Sequence, residues 1–165
     1  PQQVESHGLY GVEILDLAGV KCKEIKSWKK EGKMFKFGKS SLAKLDDVDP
    51  DLRLVMIEAI KLTVIDFGIT EGMRSLERAE QLKADGLSKV GNKSKHCLGK
   101  AVDIVAYDGS KVTWDLDFYE EIAQSVGEVS ELLDIPVRWG GSWITGDFKL
   151  NRDMKFIDAV HFELG

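Results

Sequence analysis

The sequence predicts an α+β domain in which helices pack on a small antiparallel sheet, and three observations carry that reading. Two segments, one beginning at Asp49 and one spanning residues 115–134, repeat apolar residues at helical spacing. Four shorter segments, residues 64–70, 101–106, 136–140 and 159–164, have the length and composition of strands. Capping and turn residues, among them Asp49-Pro50, Ser75 and Gly86, stand where these segments should begin or end.

Taken in order, Asp49 can accept free N–H groups at a helix start, Pro50 suits the first turn, and Leu52, Val55, Met56, Ala59 and Ile60 share one face. Residues 64–70 follow as a strand. Ser75 can cap a helix that runs through Ala84 and that Gly86 ends. The segment 86–94 is polar and reads as a loop, with a strand at 101–106 after the Gly99 turn. The helix at 115–134 turns Tyr119, Ile122, Ala123, Val126, Val129 and Leu133 inward. The two last strands, 136–140 and 159–164, are separated by a glycine-containing, aromatic loop.

Residues 1–33 differ from the rest, with a short apolar patch at 9–20 and then a lysine-rich run that includes Lys21, Lys23, Lys26, Lys29 and Lys30. The expected division is therefore an N-terminal extension of uncertain origin at 1–33, with Met34 as a conceivable internal start, and a catalytic domain at 34–165.

Composition narrows the functional classes. A chain of 165 residues that is 43% hydrophobic and 31% charged suits one globular domain. A formal net charge of −5 leaves no basic surplus for neutralising phosphates, which argues against a nucleic-acid binder. No run approaches the roughly 18 apolar residues of a membrane span, and no leader pattern is visible, so neither membrane insertion nor self-export is expected. Cys22 and Cys97 make no disulfide framework.

Chemistry concentrates in few residues. Of three histidines, His7 lies in the irregular front end, His96 just before a strand and His161 inside the last one. A catalytic zinc commonly takes three nitrogen or oxygen ligands and leaves a position for water. His96, Asp103 and His161 would supply such a set, since a chain running out and back around Gly99 can bring His96 and Asp103 to one point. By itself a His and an Asp seven positions apart discriminates little, and a loop histidine, a turn-bonding aspartate and a satisfied core histidine would look the same. Cys97 as a nucleophile with His96 as its base is disfavoured, because neighbours on an extended segment point opposite ways.

The order of motifs is more specific. Ser94-Lys-His96-Cys-Leu-Gly99-Lys-Ala101-Val-Asp103 resembles the first zinc motif, Ser-x-His-x(6)-Asp, of the D-Ala-D-Ala carboxypeptidase and L-alanyl-D-glutamate peptidase group. Asp158-Ala-Val-His161-Phe-Glu-Leu164 resembles the second, and Gly72-Met-Arg74-Ser75 resembles the arginine-bearing turn ahead of both. Within that group, Met34-Phe-Lys-Phe-Gly-Lys and Val137-Arg-Trp139-Gly140-Gly-Ser-Trp143 look like phage endolysins of the L-alanyl-D-glutamate peptidase type. The likeness spans about residues 34–165 and leaves 1–33 outside it.

The resemblance implies a hedgehog/D-Ala-D-Ala peptidase-like fold, zinc ligands His96, Asp103 and His161, and Asp158 as general base. A glutamate is common at the last position among members acting on D-Ala-D-Ala, so the aspartate favours the endolysin branch. Arg74 is implied to lie near the site, holding a substrate carboxylate or a developing oxyanion, or else making a structural salt bridge. Ser94 is expected to bond a ligand or substrate, or to form a turn; Trp143 to wall a peptide groove; Trp139 to be structural. Glu163 shares strand parity with His161 and either orients it or makes an ordinary ion pair.

The implied activity is cleavage of the L-alanyl-D-glutamate bond in peptidoglycan stems for host lysis. A D-Ala-D-Ala carboxypeptidase and a non-catalytic zinc-bearing wall-binding module are the alternatives. An endolysin without a leader is expected in the host cytoplasm until a separate membrane-permeabilising protein gives it access to the wall.

Overall fold

The structure, a computed structural model, describes residues 34–165. The N-terminal extension, with its apolar patch, lysine-rich run, His7 and Cys22, lies outside the described residues. Four helices are described: α1 (Lys39–Leu45), α2 (Pro50–Leu62), α3 (Leu76–Ala84) and α4 (Leu116–Leu133). Five strands accompany them: β1 (Asp66–Glu71), β2 (Ala101–Asp108), β3 (Lys111–Thr113), β4 (Val137–Gly140) and β5 (Asp158–Leu164).

The capping residues act as their chemistry suggests. Asp49 accepts from the backbone N of Asp51, Ser75 from that of Arg78 and Asp115 from that of Asp117, each satisfying a donor that the first helical turn leaves free. On α2 the expected face is buried, and on α4 Tyr119, Ile122, Ala123, Val126 and Val129 are all at most 1% exposed, Leu133 lying at the margin. The two helices pack on each other and, with Phe67, Ile69, Val102, Ile104, Trp139 and Phe162 of the sheet, enclose the core.

All strand pairs are antiparallel, in the order β1-β2-β5-β4, as expected for the sheet. Strand β2 organises it. One of its edges carries β1; the other is shared, with Ala101–Asp103 facing β5 and Ala106–Asp108 facing β3. Because side chains alternate along a strand, Val102, Ile104 and Ala106 enter the core while Asp103 points to the opposite face. The same parity on β5 sets Phe162 against Val102 in the core and His161 against Asp103 on the other face. At the shifted register of β1, Glu71 sits opposite Asp103. Glu71, Asp103 and His161 thus form one row across three strands.

One helix and one strand were not expected. Helix α1 is short and its N-cap, Gly38, has no side-chain cap, but it buries Leu45, and the Ser41 hydroxyl accepts from the Ile69 amide of β1. Strand β3 follows a two-residue connection, Gly109-Ser110, between the paired Asp108 and Lys111, with Gly109 at φ +61°. Tyr119 secures that hairpin from beneath, its hydroxyl donating to Thr113 O and accepting from Ala106 N.

The long connection from β1 to β2 holds α3 and two short 3₁₀ turns, Gly91–Lys93 and Lys95–Leu98. Gly99 closes the second turn in the left-handed region (φ +67°), and a Cβ there would stand 2.7 Å from the Asp47 carbonyl. Gly99→Ala is accordingly expected to lower stability by about 2 kcal/mol. Urea denaturation checks this, and an unchanged midpoint would contradict it.

Candidate metal centre and active site

His96 occupies the 3₁₀ turn Lys95–Leu98, not an extended segment as the sequence suggested. Ser94 caps this turn, its hydroxyl accepting from the His96 amide, while Arg74 N donates to His96 O and the Gly99 amide closes back on the same carbonyl. Ser94 is therefore a turn former that fixes the histidine backbone. The histidine ring is fixed separately. Its Nδ1–H donates to Gly72 O over 2.8 Å, which leaves Nε2 free of hydrogen and aimed at the sheet.

There Nε2 meets Asp103 Oδ1 at 3.2 Å and His161 Nδ1 at 3.2 Å, and the latter two are 3.0 Å apart. The three residues expected to act together are thus brought together, each offering one ligand atom. An ion bound through tetrahedral bonds of 2.0–2.1 Å holds its ligand atoms about 3.3 Å apart. The triangle of donors matches that edge, and two imidazoles with one carboxylate form a donor set suited to a divalent ion with a position left for water. His161 presents Nδ1 because its other nitrogen donates to Glu163 Oε2 at 3.2 Å. Each histidine therefore has its outward N–H on an acceptor, which fixes tautomer and ring orientation.

Glu163 does both things proposed for it. While Oε2 holds His161, Oε1 pairs with Arg138 at 3.2 Å and Lys95 at 3.4 Å. Burial alone would raise its carboxyl, but the hydrogen bond from His161 and the charge of Lys95 outweigh that and lower it. The same competition governs Asp103: burial pushes it up, yet its contacts with His161 and His96 hold it well below the usual carboxylate range. For His161, burial lowers the pKa and the bonds to Asp103 and Glu163 raise it, with a net value of about 9.

Asp158 begins β5, three positions before His161, where strict alternation would aim it at the opposite face. The register breaks between them. Trp139 pairs with Phe162, but the next residue, Gly140, pairs with Asp158, so a single step on β4 is matched by four on β5. Half-buried there, Asp158 has a raised pKa, first from burial; the charge of His161 opposes this and that of Asp103 reinforces it. A carboxyl raised toward neutrality and electrostatically coupled to the ligand set suits a proton carrier.

Arg74 is 9% exposed and gives one edge of its guanidinium to Glu71: Nε donates to Oε1 at 2.8 Å and Nη2 to Oε2. Its Nη2 also stands 3.8 Å from Asp103 Oδ2. The arginine turn is thus beside the site, with its fork held by a partner that sequence reasoning missed; the signal was Glu71-Gly-Met-Arg74 spacing at the end of a strand. Trp143 is half-buried with its ring 5.5 Å from that of His161, at the site as expected. Trp139 is in the core, 1% exposed, bonded through Nε1 to Ala159 O. Cys97 lies on the 3₁₀ turn with its Sγ toward Gly91 O; both nitrogens of His96 are engaged elsewhere, so the thiol has no base there.

The loop that carries Trp143 is seated on α4. Phe148 adopts a positive φ of 55° and lays its ring where a side chain on Gly127 would stand, 2.5 Å from that glycine's notional Cβ.

Comparison with known proteins identifies the family. Residues 33–165 match the family described as phage L-alanyl-D-glutamate peptidase. The chain is 34% identical over 134 residues to the L-alanyl-D-glutamate peptidase of Escherichia phage T5, covering 79% of this chain and 98% of that one. It is 32% identical over 110 residues to the peptidoglycan L-alanyl-D-glutamate endopeptidase CwlK of Bacillus subtilis, covering 61% of each. The solved Serratia marcescens L-Ala D-Glu endopeptidase ChiX superposes with a TM-score of 0.69 at 32% identity, over 84% of this chain and 96% of that one. The fold is that of a peptidase, and the chain belongs to the phage L-alanyl-D-glutamate peptidase family.

The charge balance at the ligands has a measurable consequence. An unfolded histidine titrates near 6.5, so with His161 raised to about 9 the histidine stabilises chelator-treated protein fully below about pH 6.5 and loses that effect as pH rises to 9. Metal binding has the opposite dependence, because it requires Nδ1 without its proton. Between pH 6.5 and 9, the melting temperature of chelator-treated protein should fall while divalent-metal affinity by titration calorimetry rises; two flat profiles would contradict this.

Proposed function

We propose that this chain hydrolyses the L-alanyl-D-glutamate amide bond of peptidoglycan stems with a zinc ion held by His96 Nε2, Asp103 Oδ1 and His161 Nδ1. The observation that carries the reading is the triangle of three donor atoms at 3.0–3.2 Å, with the outward nitrogen of each histidine already bonded. Zinc bound there supplies Lewis acidity toward the scissile carbonyl and acidifies the attacking water. Asp158 takes the proton of that water and returns it to the departing amine, a role favoured by its raised pKa and its place outside the ligand set. Arg74, oriented by Glu71 beside Asp103, stabilises negative charge developing at the carbonyl. Trp143 supplies an apolar wall for the stem.

The biological setting we infer is phage release. Among the described residues no helix is long and apolar enough to cross a membrane. In this proposal the enzyme awaits, in the host cytoplasm, a separate protein that opens the membrane, and acts on the wall afterwards; its enrichment outside intact cells before lysis would contradict this.

Digestion of purified peptidoglycan, read by mass spectrometry, tests the reaction. A new D-glutamate amino terminus that disappears with a zinc chelator is expected. Free D-alanine would instead indicate a carboxypeptidase, and bound zinc without any cleavage a wall-binding module. Asp158→Asn should lower kcat by about a hundredfold or more while zinc content stays near one per chain. His161→Ala should lose zinc and activity together, and full zinc occupancy in that variant would remove His161 from the ligand set.

A further inference from the structure

Among the described residues, Arg74, Lys95 and Arg138 stand around the candidate site, and they are held very differently. The Arg74 side chain is 8% exposed and gives its fork to Glu71. Lys95 donates to the Leu164 carbonyl and pairs with Glu163. Arg138, by contrast, is 49% exposed, although it lies on β4 directly opposite Glu163. Its guanidinium reaches Glu163 Oε1 through Nη1 at 3.2 Å and the Trp143 carbonyl through Nη2 at 3.5 Å, with Cζ 5.2 Å from the centre of the Trp143 ring. A guanidinium has five N–H donors, so most of those on Arg138 remain available to a ligand.

The tryptophan connects this arginine to the reaction. One neighbour of Trp143 is Arg138 and another is the ligand His161, whose ring centre is 5.5 Å from its own. A planar cation stacked on an aromatic ring is oriented with little remaining freedom, and its edge then serves as a fork for a carboxylate. Trp143 thus displays Arg138 at the margin of the site.

The substrate class of the proposed function has a matching group. Glutamate carries two carboxyls and extends the chain through only one. A stem cut on the amino side of D-glutamate therefore bears a second carboxylate within one residue of the scissile amide. With Arg74 engaged by Glu71, the exposed guanidinium suited to that group is Arg138.

We propose that Arg138, lying over the Trp143 ring, anchors the free carboxylate of the D-glutamate that follows the scissile bond, and so makes the enzyme selective for stems in which this carboxyl is not amidated. The inference rests on the function proposed above. Replacing carboxylate by carboxamide removes the charge and leaves one acceptor oxygen opposite a two-pronged donor, which weakens the contact without changing the shape of the substrate.

The test uses the full zinc-loaded chain and two synthetic stem peptides that differ only in a free carboxylate or a carboxamide on D-glutamate. Wild type should favour the carboxylate by about tenfold in kcat/KM, chiefly through KM. Arg138→Ala should bring the ratio between the peptides close to one, and Arg138→Lys, which keeps the charge but loses the fork and the stack, should give an intermediate ratio. A purely structural arginine, acting through Glu163 or Trp143, would depress both peptides in the same proportion and preserve the ratio. That result, or a wild type without preference, overturns the inference while leaving the peptidase reading intact. Cleavage of neither peptide by zinc-loaded wild type overturns both.

Discussion

The cross-strand pair of Asp103 and His161 is the contact on which the rest of the site depends. Facing residues of antiparallel strands lie about 5 Å apart with their side chains on the same face, so the register of β2 and β5 by itself brings a carboxylate and an imidazole together. That arrangement takes charge out of water and is stable only when each remaining polar atom has a partner. Glu163 takes the far nitrogen of His161, Lys95 and Arg138 balance Glu163, and Arg74 with Glu71 flanks the free oxygen of Asp103. His96 completes the group from a loop, and its place is set by backbone contacts at Gly72, Arg74 and Gly99.

Most of this was legible in the sequence for reasons specific to each element. Helices α2 and α4 are long enough for periodicity to speak, and their caps are polar side chains that only a helix start would use. Helix α1 escaped notice because seven residues repeat too little, and its stability comes from Leu45 and the Ser41 contact, which are tertiary. Strand β3 is three residues long; its signal was the Gly109-Ser110 turn and not the strand itself. The order of motifs singled out His96, Asp103 and His161, which the structure brings together. Their geometry was not, since the choice of Nε2 on His96 and Nδ1 on His161 depends on Gly72 and Glu163, which no spacing rule connects to a metal. Asp158 shows the same limit. Alternation places it on the face opposite His161, and the register between β4 and β5 shifts just there.

The two arginines at the site illustrate how context divides one chemistry. Arg74 is enclosed and its ion pair with Glu71 raises an already high pKa further, so it acts as a fixed charge beside Asp103. Arg138 keeps solvent contact and rests on an aromatic ring, so it can exchange partners. A buried carboxyl also occurs on α2: Glu58 is 6% exposed and has Lys61 on one oxygen. Helical periodicity could not announce it, because the position reads as apolar by spacing and polar by identity.

The seating of Phe148 against Gly127 bears on any attempt to make a hardier variant. By helix propensity, a glycine in the middle of α4 invites replacement with alanine, a change usually worth about 1 kcal/mol in favour of the fold. Here the added methyl would meet the body of the Phe148 ring, and the ring belongs to the loop that carries Trp143. An engineer who treated position 127 as a free surface site would be adjusting, from its far side, the loop whose Trp143 ring lies beside His161.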